Sequence, residues 1–221
     1  MRKVSITEGE YYHVYNRGNN KRDIFLKEED WARFLFLILF FQSSVPVHHV
    51  GKFVSRFVKH RVFDISKKQK EKLIANRFVE LNNFALMPNH FHLTVRNLTS
   101  DGLSKYMQRV LNAYTKYFNA KYDISGHLFQ GPFQVVAIKD DRQLLHLSAY
   151  IHKNPRELKR WRKKEHIYPW SSYQDYLEPN RWDGLLAPEI ILGQFENSAE
   201  YREFIKTSPA KEKFLEEFLF A

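Results

Sequence analysis

The 221-residue chain contains no cysteine. That excludes disulfides and thiolate metal sites, and it fits a reducing compartment. Long apolar runs are also missing: the longest, Phe34 to Phe41, is eight residues, against the roughly 20 needed to span a bilayer. It reads as a buried helix. The opening residues, Met1 to Ser5, lack the apolar stretch of a secretory signal. There are no internal repeats and no low-complexity stretch. The expectation is a soluble protein of the cytoplasm with no membrane partner.

Acidic residues are in short supply. Asp and Glu number 25 against 35 Lys and Arg, a net charge of +10. The excess is clustered: residues 45–77 hold nine Lys/Arg against Asp64 and Glu71, so this segment supplies seven of the ten net charges. A clustered positive charge fits a polyanion partner, although charge alone is also compatible with a solvated basic surface. With 43% hydrophobic residues the chain can bury one full core, as one domain or one domain with an appendage.

The pattern of elements points to an α+β fold. Tyr11 to Tyr15 is rich in strand formers and runs into a turn at Asn16–Asn20. Trp31, Phe34, Leu35, Ile38 and Phe41 recur at helical spacing, predicting a helix over about Glu28 to Gln42. Strands follow over Val79–Met87 and His90–Arg96, separated by Pro88-Asn89. A long helix begins after Ser100-Asp101, with an apolar stripe of Leu103, Tyr106, Met107, Val110, Leu111, Tyr114 and Phe118. Phe133–Lys139 reads as another strand. Asp140-Asp141 then caps a helix carrying Leu144, Leu147 and Ile151, which Pro155 should end. An antiparallel sheet with helices on one face, ferredoxin-like or RRM-like, satisfies this order. The expected division is a main domain over 1–160 with the basic insert 45–77. A C-terminal extension over 161–221 should be periodic only in its last dozen residues.

Two groups of residues can carry chemistry. On a strand, His90 and His92 point to one face, opposite the apolar Phe91, Leu93 and Val95, a spacing able to chelate one divalent cation. By itself the pair fits either an ion site or two histidines on a polar face. Tyr150 lies off the apolar face of its helix, with Asn154 one turn later. By itself it fits either an amphipathic tyrosine at a core margin or a nucleophile. A phenol of ordinary pKa about 10 would need help to attack phosphorus.

Taken together, Met87-Pro88-Asn89-His90-Phe91-His92-Leu93 and Tyr150-Ile151-His152-Lys153-Asn154-Pro155 resemble the single-tyrosine HUH transposases, and most closely their REP-associated branch. Tyr12–Gly18, Tyr106-Met107-Gln108-Arg109, Gly126–Gly131 and Pro169–Tyr173 are further matches in the same order, over about residues 11–177. The resemblance implies that His90, His92 and Asn154 bind Mg²⁺ or Mn²⁺. It implies that Tyr150 attacks a DNA phosphate to leave a 5′-phosphotyrosine and a free 3′-OH. It also implies a partner of single-stranded or hairpin-forming palindromic DNA. DNA contacts are expected from Arg17, Lys67, Lys68, Lys70, Lys72, Lys105, Arg109 and Lys116, and the oligomer is expected to be a monomer or homodimer. His13 and Arg17 lie where they can reach the site. The family's usual Trp-Gln-Gly-Arg is here Phe129-Gln130-Gly131-Pro132, and its Val-Arg-Ala is Arg156-Glu157-Leu158. Both differences bear on target specificity. The rival readings are a replication initiator or relaxase, which the single tyrosine followed by Asn-Pro argues against, and a non-catalytic RRM-like nucleic-acid-binding or domesticated protein.

Overall fold

A computed structural model describes residues 5–209. Four strands form one antiparallel sheet: β1 (Tyr11–Arg17), β2 (Val79–Met87), β3 (His90–Asn97) and β4 (Gln134–Ala137), in the spatial order β2-β3-β1-β4. β2 and β3 form a hairpin whose turn is Pro88-Asn89, where proline cannot donate to the ladder. The α+β, antiparallel architecture expected from the sequence is the one observed.

Alternation along the strands decides what each face buries. Phe91, Leu93 and Val95 are fully buried on the face covered by α1 (Glu28–Phe40) and α4 (Gly102–Tyr122). Phe34 of α1 meets Phe91 with ring centroids 4.9 Å apart, and the Tyr106 hydroxyl donates to Ile38 O at 2.8 Å, tying α4 to α1. Most of the expected α4 stripe is buried, but Leu111 is only partly so and lines a surface groove. The start of α4 differs in detail from the sequence expectation. Asp101 sits at the N-cap without a side-chain cap bond, and Asn97 Oδ1 accepts from Leu103 N at 2.8 Å instead. The next cap is as expected, with Asp140 accepting from Gln143 N at 2.7 Å at the start of α5 (Asp141–Lys153).

The basic segment 45–77 folds into two helices, α2 (Val50–His60) and α3 (Lys67–Ala75), which share an aromatic core with the C-terminal residues. Phe57 packs on Trp182 at 5.6 Å and Phe63 on Trp182 at 5.3 Å, while Lys70 Nζ pairs with Asp183 Oδ2 at 2.6 Å. The chain after Arg160 also runs along the outer edge of β2. Leu86 N donates to Trp170 O at 2.8 Å, Ser172 N to Phe84 O at 3.0 Å and Ala187 N to Leu81 O at 2.8 Å. A sheet edge that would otherwise present unpaired backbone groups is thereby covered. Three further helices, α6 (Tyr173–Leu177), α7 (Glu189–Leu192) and α8 (Ser198–Thr207), pack on α5. α8 lies ahead of the last dozen residues, where periodicity was expected. That expected stretch falls outside the described residues.

One buried carboxylate ties the ends of α1 and α4 together. Asp30 is fully buried. It accepts from Leu26 N and Lys27 N at the start of α1, and from Lys121 Nζ (2.6 Å), Tyr122 Oη (2.6 Å) and Tyr117 Oη (2.9 Å) on α4. Burial opposes its ionisation, yet these donors together hold its pKa below the usual carboxylate value. A depressed folded pKa contributes stability that is present above the unfolded value of about 3.9 and is lost as pH falls through the folded value. Asp30→Asn is expected to destabilise by about 3 kcal/mol at neutral pH, with the gap to wild type closing below about pH 4. Urea unfolding at pH 7 and pH 3 measures it, and an equal gap at both would show that the charge contributes nothing.

Candidate active site

Register brings the polar residues of two strands onto one face. Tyr15 pairs with His92, Arg17 with His90 and His13 with Thr94, so His13, Tyr15 and Arg17 point the same way as His90 and His92. α5 crosses this face, and Leu144, Leu147 and Ile151 turn into a second core with Ala85, Tyr176, Tyr201 and Ile205. Tyr150 is thereby turned toward the histidines: its ring meets that of His92 edge-on at 5.3 Å and that of His13 at 6.3 Å.

Asn154 caps α5 one turn beyond Tyr150. Its Nδ2 donates to Tyr150 O at 2.9 Å, which fixes the amide so that Oδ1 faces His90 Nε2 at 3.5 Å. That distance is at the limit for a hydrogen bond. Two cis ligands of an octahedral ion, each about 2.1 Å from it, would lie about 3 Å apart, so the spacing suits two donors aimed at one cation. Asn89 Oδ1, 2.7 Å from His90 Nδ1, can accept that proton and leave the Nε2 lone pair toward Asn154. Among the described residues no group of three or more His, Cys, Asp or Glu converges on an ion. The side chains that meet here offer two imidazoles and an amide oxygen, without thiolate, a set able to hold a divalent cation.

Electrostatics matches this arrangement. Burial lowers the pKa of His90 and, aided by neighbouring His13 and His90, sets that of His92 well below the ordinary value. Both rings are therefore neutral at neutral pH, the form that donates lone pairs. Burial pushes Tyr150 up to about 12; the Glu157 charge adds to this and the Asn154 hydrogen bond opposes it. The cleft holds about 500 Å³ and is lined by Tyr15, Arg17, His90, His92, Tyr150 and Asn154, together with Asn16, Gln130, Gln134 and Glu157.

The residues named from sequence separate into groups. Tyr150, His90, His92, Asn154 and Arg17 meet in one cleft. Lys116 lies elsewhere, in a groove between α4 and the 127–133 loop. Lys105 and Arg109 line another groove with Ser44 and Phe78. Arg109 is engaged within the fold, donating to Ser43 O at 2.6 Å and sitting over the Phe41 ring at 4.5 Å. Lys67, Lys68, Lys70 and Lys72 are on α3, where Lys70 is held by Asp183 and Lys67 is 3.9 Å from Glu71.

Tyr15, Gln130, Gln134 and Glu157 also reach the cleft without having been singled out as site residues. Strand alternation with Arg17 was the signal available for Tyr15. His152 was likewise not singled out. It is fully buried and is clamped between Ser172 Oγ (2.9 Å) and Tyr201 Oη (2.7 Å), so the residues after 160 hold the helix that carries Tyr150.

No described helix is long and apolar enough to cross a membrane. The chain matches no curated protein sequence at a significant level. Among solved structures, one described as "Structure of the REP associates tyrosine transposase bound to a REP hairpin" is similar, with 18% identity, a TM-score of 0.49, and coverage of 83% of this chain and 90% of that one. The family model described as "Transposase IS200 like" matches residues 8–154, from just before β1 to Asn154 at the end of α5. That match takes in both strands and the helix that build the cleft, and the chain belongs to the IS200-like transposase family.

Proposed function

We propose that this chain is a divalent-metal-dependent single-stranded DNA endonuclease and strand transferase that forms a 5′-phosphotyrosine on Tyr150. The observation that carries this reading is the meeting of Tyr150 and Asn154, from α5, with His90 and His92, from β3, in one cleft. A non-catalytic RRM-like module has no use for that convergence.

His90 Nε2, His92 and Asn154 Oδ1 would hold one Mg²⁺ or Mn²⁺. Such an ion supplies charge neutralisation and polarisation at a phosphoryl oxygen. Tyr150 supplies the nucleophile. Its oxygen forms the bond to phosphorus while the bond from phosphorus to the 3′-oxygen breaks; the phenol proton is lost and the 3′-oxygen gains one. Because the phosphodiester energy stays in the enzyme link, rejoining needs no ATP. Burial keeps the phenol protonated at rest, so the proton must leave as the attack proceeds. Arg17, which lines the same cleft, would contact a DNA phosphate.

The substrate we infer is DNA that folds into a hairpin with an unpaired flank, as the resemblance to the REP-associated branch implies. Incubating the protein with a hairpin oligonucleotide labelled on the 3′ side of the nick tests this. Labelled DNA should move to protein mass in Mg²⁺ or Mn²⁺ and not in excess EDTA; full trapping in EDTA would sink the metal assignment.

Phosphate neutralisation by the basic helices should make DNA binding fall steeply with salt. Changing Lys67, Lys68, Lys70 and Lys72 to Gln is expected to flatten the log–log salt slope by about 0.9 for each duplex phosphate left without its lysine. Lys70, already paired with Asp183, contributes least. An unchanged slope would make α3 a solvated surface.

A further inference from the structure

We propose that His13 is a positioning residue for His92: its Nε2 accepts the His92 Nδ1 proton, so that His92 presents its Nε2 lone pair to the cleft. This rests on the metal-binding reading above.

The two ring nitrogens are 2.9 Å apart. The rings stack at 5.1 Å, and His13 stacks in turn on Tyr15 at 4.8 Å. His13 is 1% exposed, which leaves its ring no freedom to swing away. It sits on the central strand β1, beside the strand that carries both histidines.

A contact between two neutral imidazoles requires one donor and one acceptor. A ring that ligates a cation offers it a lone pair, so as a ligand through Nε2 His92 carries its one proton on Nδ1, the nitrogen 2.9 Å from His13. If His13 donated, His92 would carry its proton on Nε2 and offer the cleft an N–H. If His92 donates, Nε2 offers a lone pair. Only the second arrangement lets His92 act as a ligand, and a metal-bound histidine commonly donates its other ring N–H to a fixed acceptor. His90 has the equivalent partner in Asn89. Each histidine thus has its own acceptor, one a loop amide and the other a buried ring.

The position argues against a merely structural histidine. His13 pairs in register with Thr94, and Thr94 with Asn83, so a polar row crosses the buried middle of the sheet. Buried polar groups cost stability compared with apolar residues of similar size, and Val or Leu would serve packing alone.

The test uses the full chain as wild type, His13→Leu, His13→Gln and, for reference, His90→Ala. Mn²⁺ binding without DNA is followed by loss of the free-ion EPR signal. His13→Leu is expected to bind Mn²⁺ about 10- to 100-fold more weakly, and His13→Gln, which keeps an acceptor, to recover much of the loss. Hairpin binding in EDTA should match wild type in both. Affinity unchanged in His13→Leu, or equally weak in His13→Gln, overturns the proposal while leaving the metal site standing. Wild type binding no more Mn²⁺ than His90→Ala overturns the metal reading and this inference with it. Should His13→Leu fail to fold, ¹⁵N–¹H correlation of the wild-type histidine side chains still decides. The proposal requires the Nδ1–H tautomer at His92, and finding the Nε2–H tautomer overturns it.

Discussion

His90→Ala and His92→Ala should each lower strand cleavage on the order of a thousandfold with the fold intact. Loss of a ligand removes charge stabilisation worth several kcal/mol, and each 1.36 kcal/mol is a factor of ten. The fold should survive because the hydrophobic faces of these positions are not involved: Phe91, Leu93 and Val95 keep the sheet on α1 and α4 whichever residue stands at 90 or 92. His90, at the turn and half-buried, should be the better tolerated. Removing His92, 7% exposed and bonded to His13, also deletes a buried hydrogen bond, at a cost of about 1 kcal/mol. The two variants should therefore match in lost activity and differ in stability. Single-turnover cleavage with thermal unfolding on the same samples measures both, and cleavage at wild-type rate by either variant would remove that histidine from the metal site.

The sequence carried the local parts of this site. Period-two alternation in His90–Arg96 placed both imidazoles on one face opposite Phe91, Leu93 and Val95, and helical spacing put Asn154 one turn beyond Tyr150. Each follows from a repeat within one element. The distance from α5 to β3 does not. Nothing in residues 141–154 says that their polar side covers the histidine face, and only the motif resemblance brought Tyr150 and His90 together. The His13–His92 contact joins residues 79 apart and depends on a register fixed by the whole sheet. The region after Arg160 was legible least. Trp182, Tyr176 and Tyr201 are almost wholly buried, but they sit on turns and short helices, too brief for a period to emerge. The apolar positions Tyr201, Phe204 and Ile205 of α8 span little more than one turn. Arg109 and Lys70 show a different limit. Formal charge is read directly from sequence, whereas engagement with Ser43 O or Asp183 depends on neighbours that composition does not reveal.

The central claim is that Tyr150 is the nucleophile, and Tyr150→Phe tests it by removing one oxygen. The ring that packs edge-on to His92 stays, as does the backbone carbonyl that orients Asn154. Metal and hairpin binding should therefore persist. Asn154→Ala should behave differently, weakening metal binding and regaining part of its cleavage at high Mg²⁺ or Mn²⁺. The decisive readout is a denaturing gel of protein incubated with single-stranded hairpin DNA labelled on the 3′ side of the nick, the fragment that keeps the 5′-phosphate. Wild type should carry that label to protein mass and Tyr150→Phe should carry none. A covalent band with Tyr150→Phe would contradict the account, because the attacking oxygen would then belong to another residue.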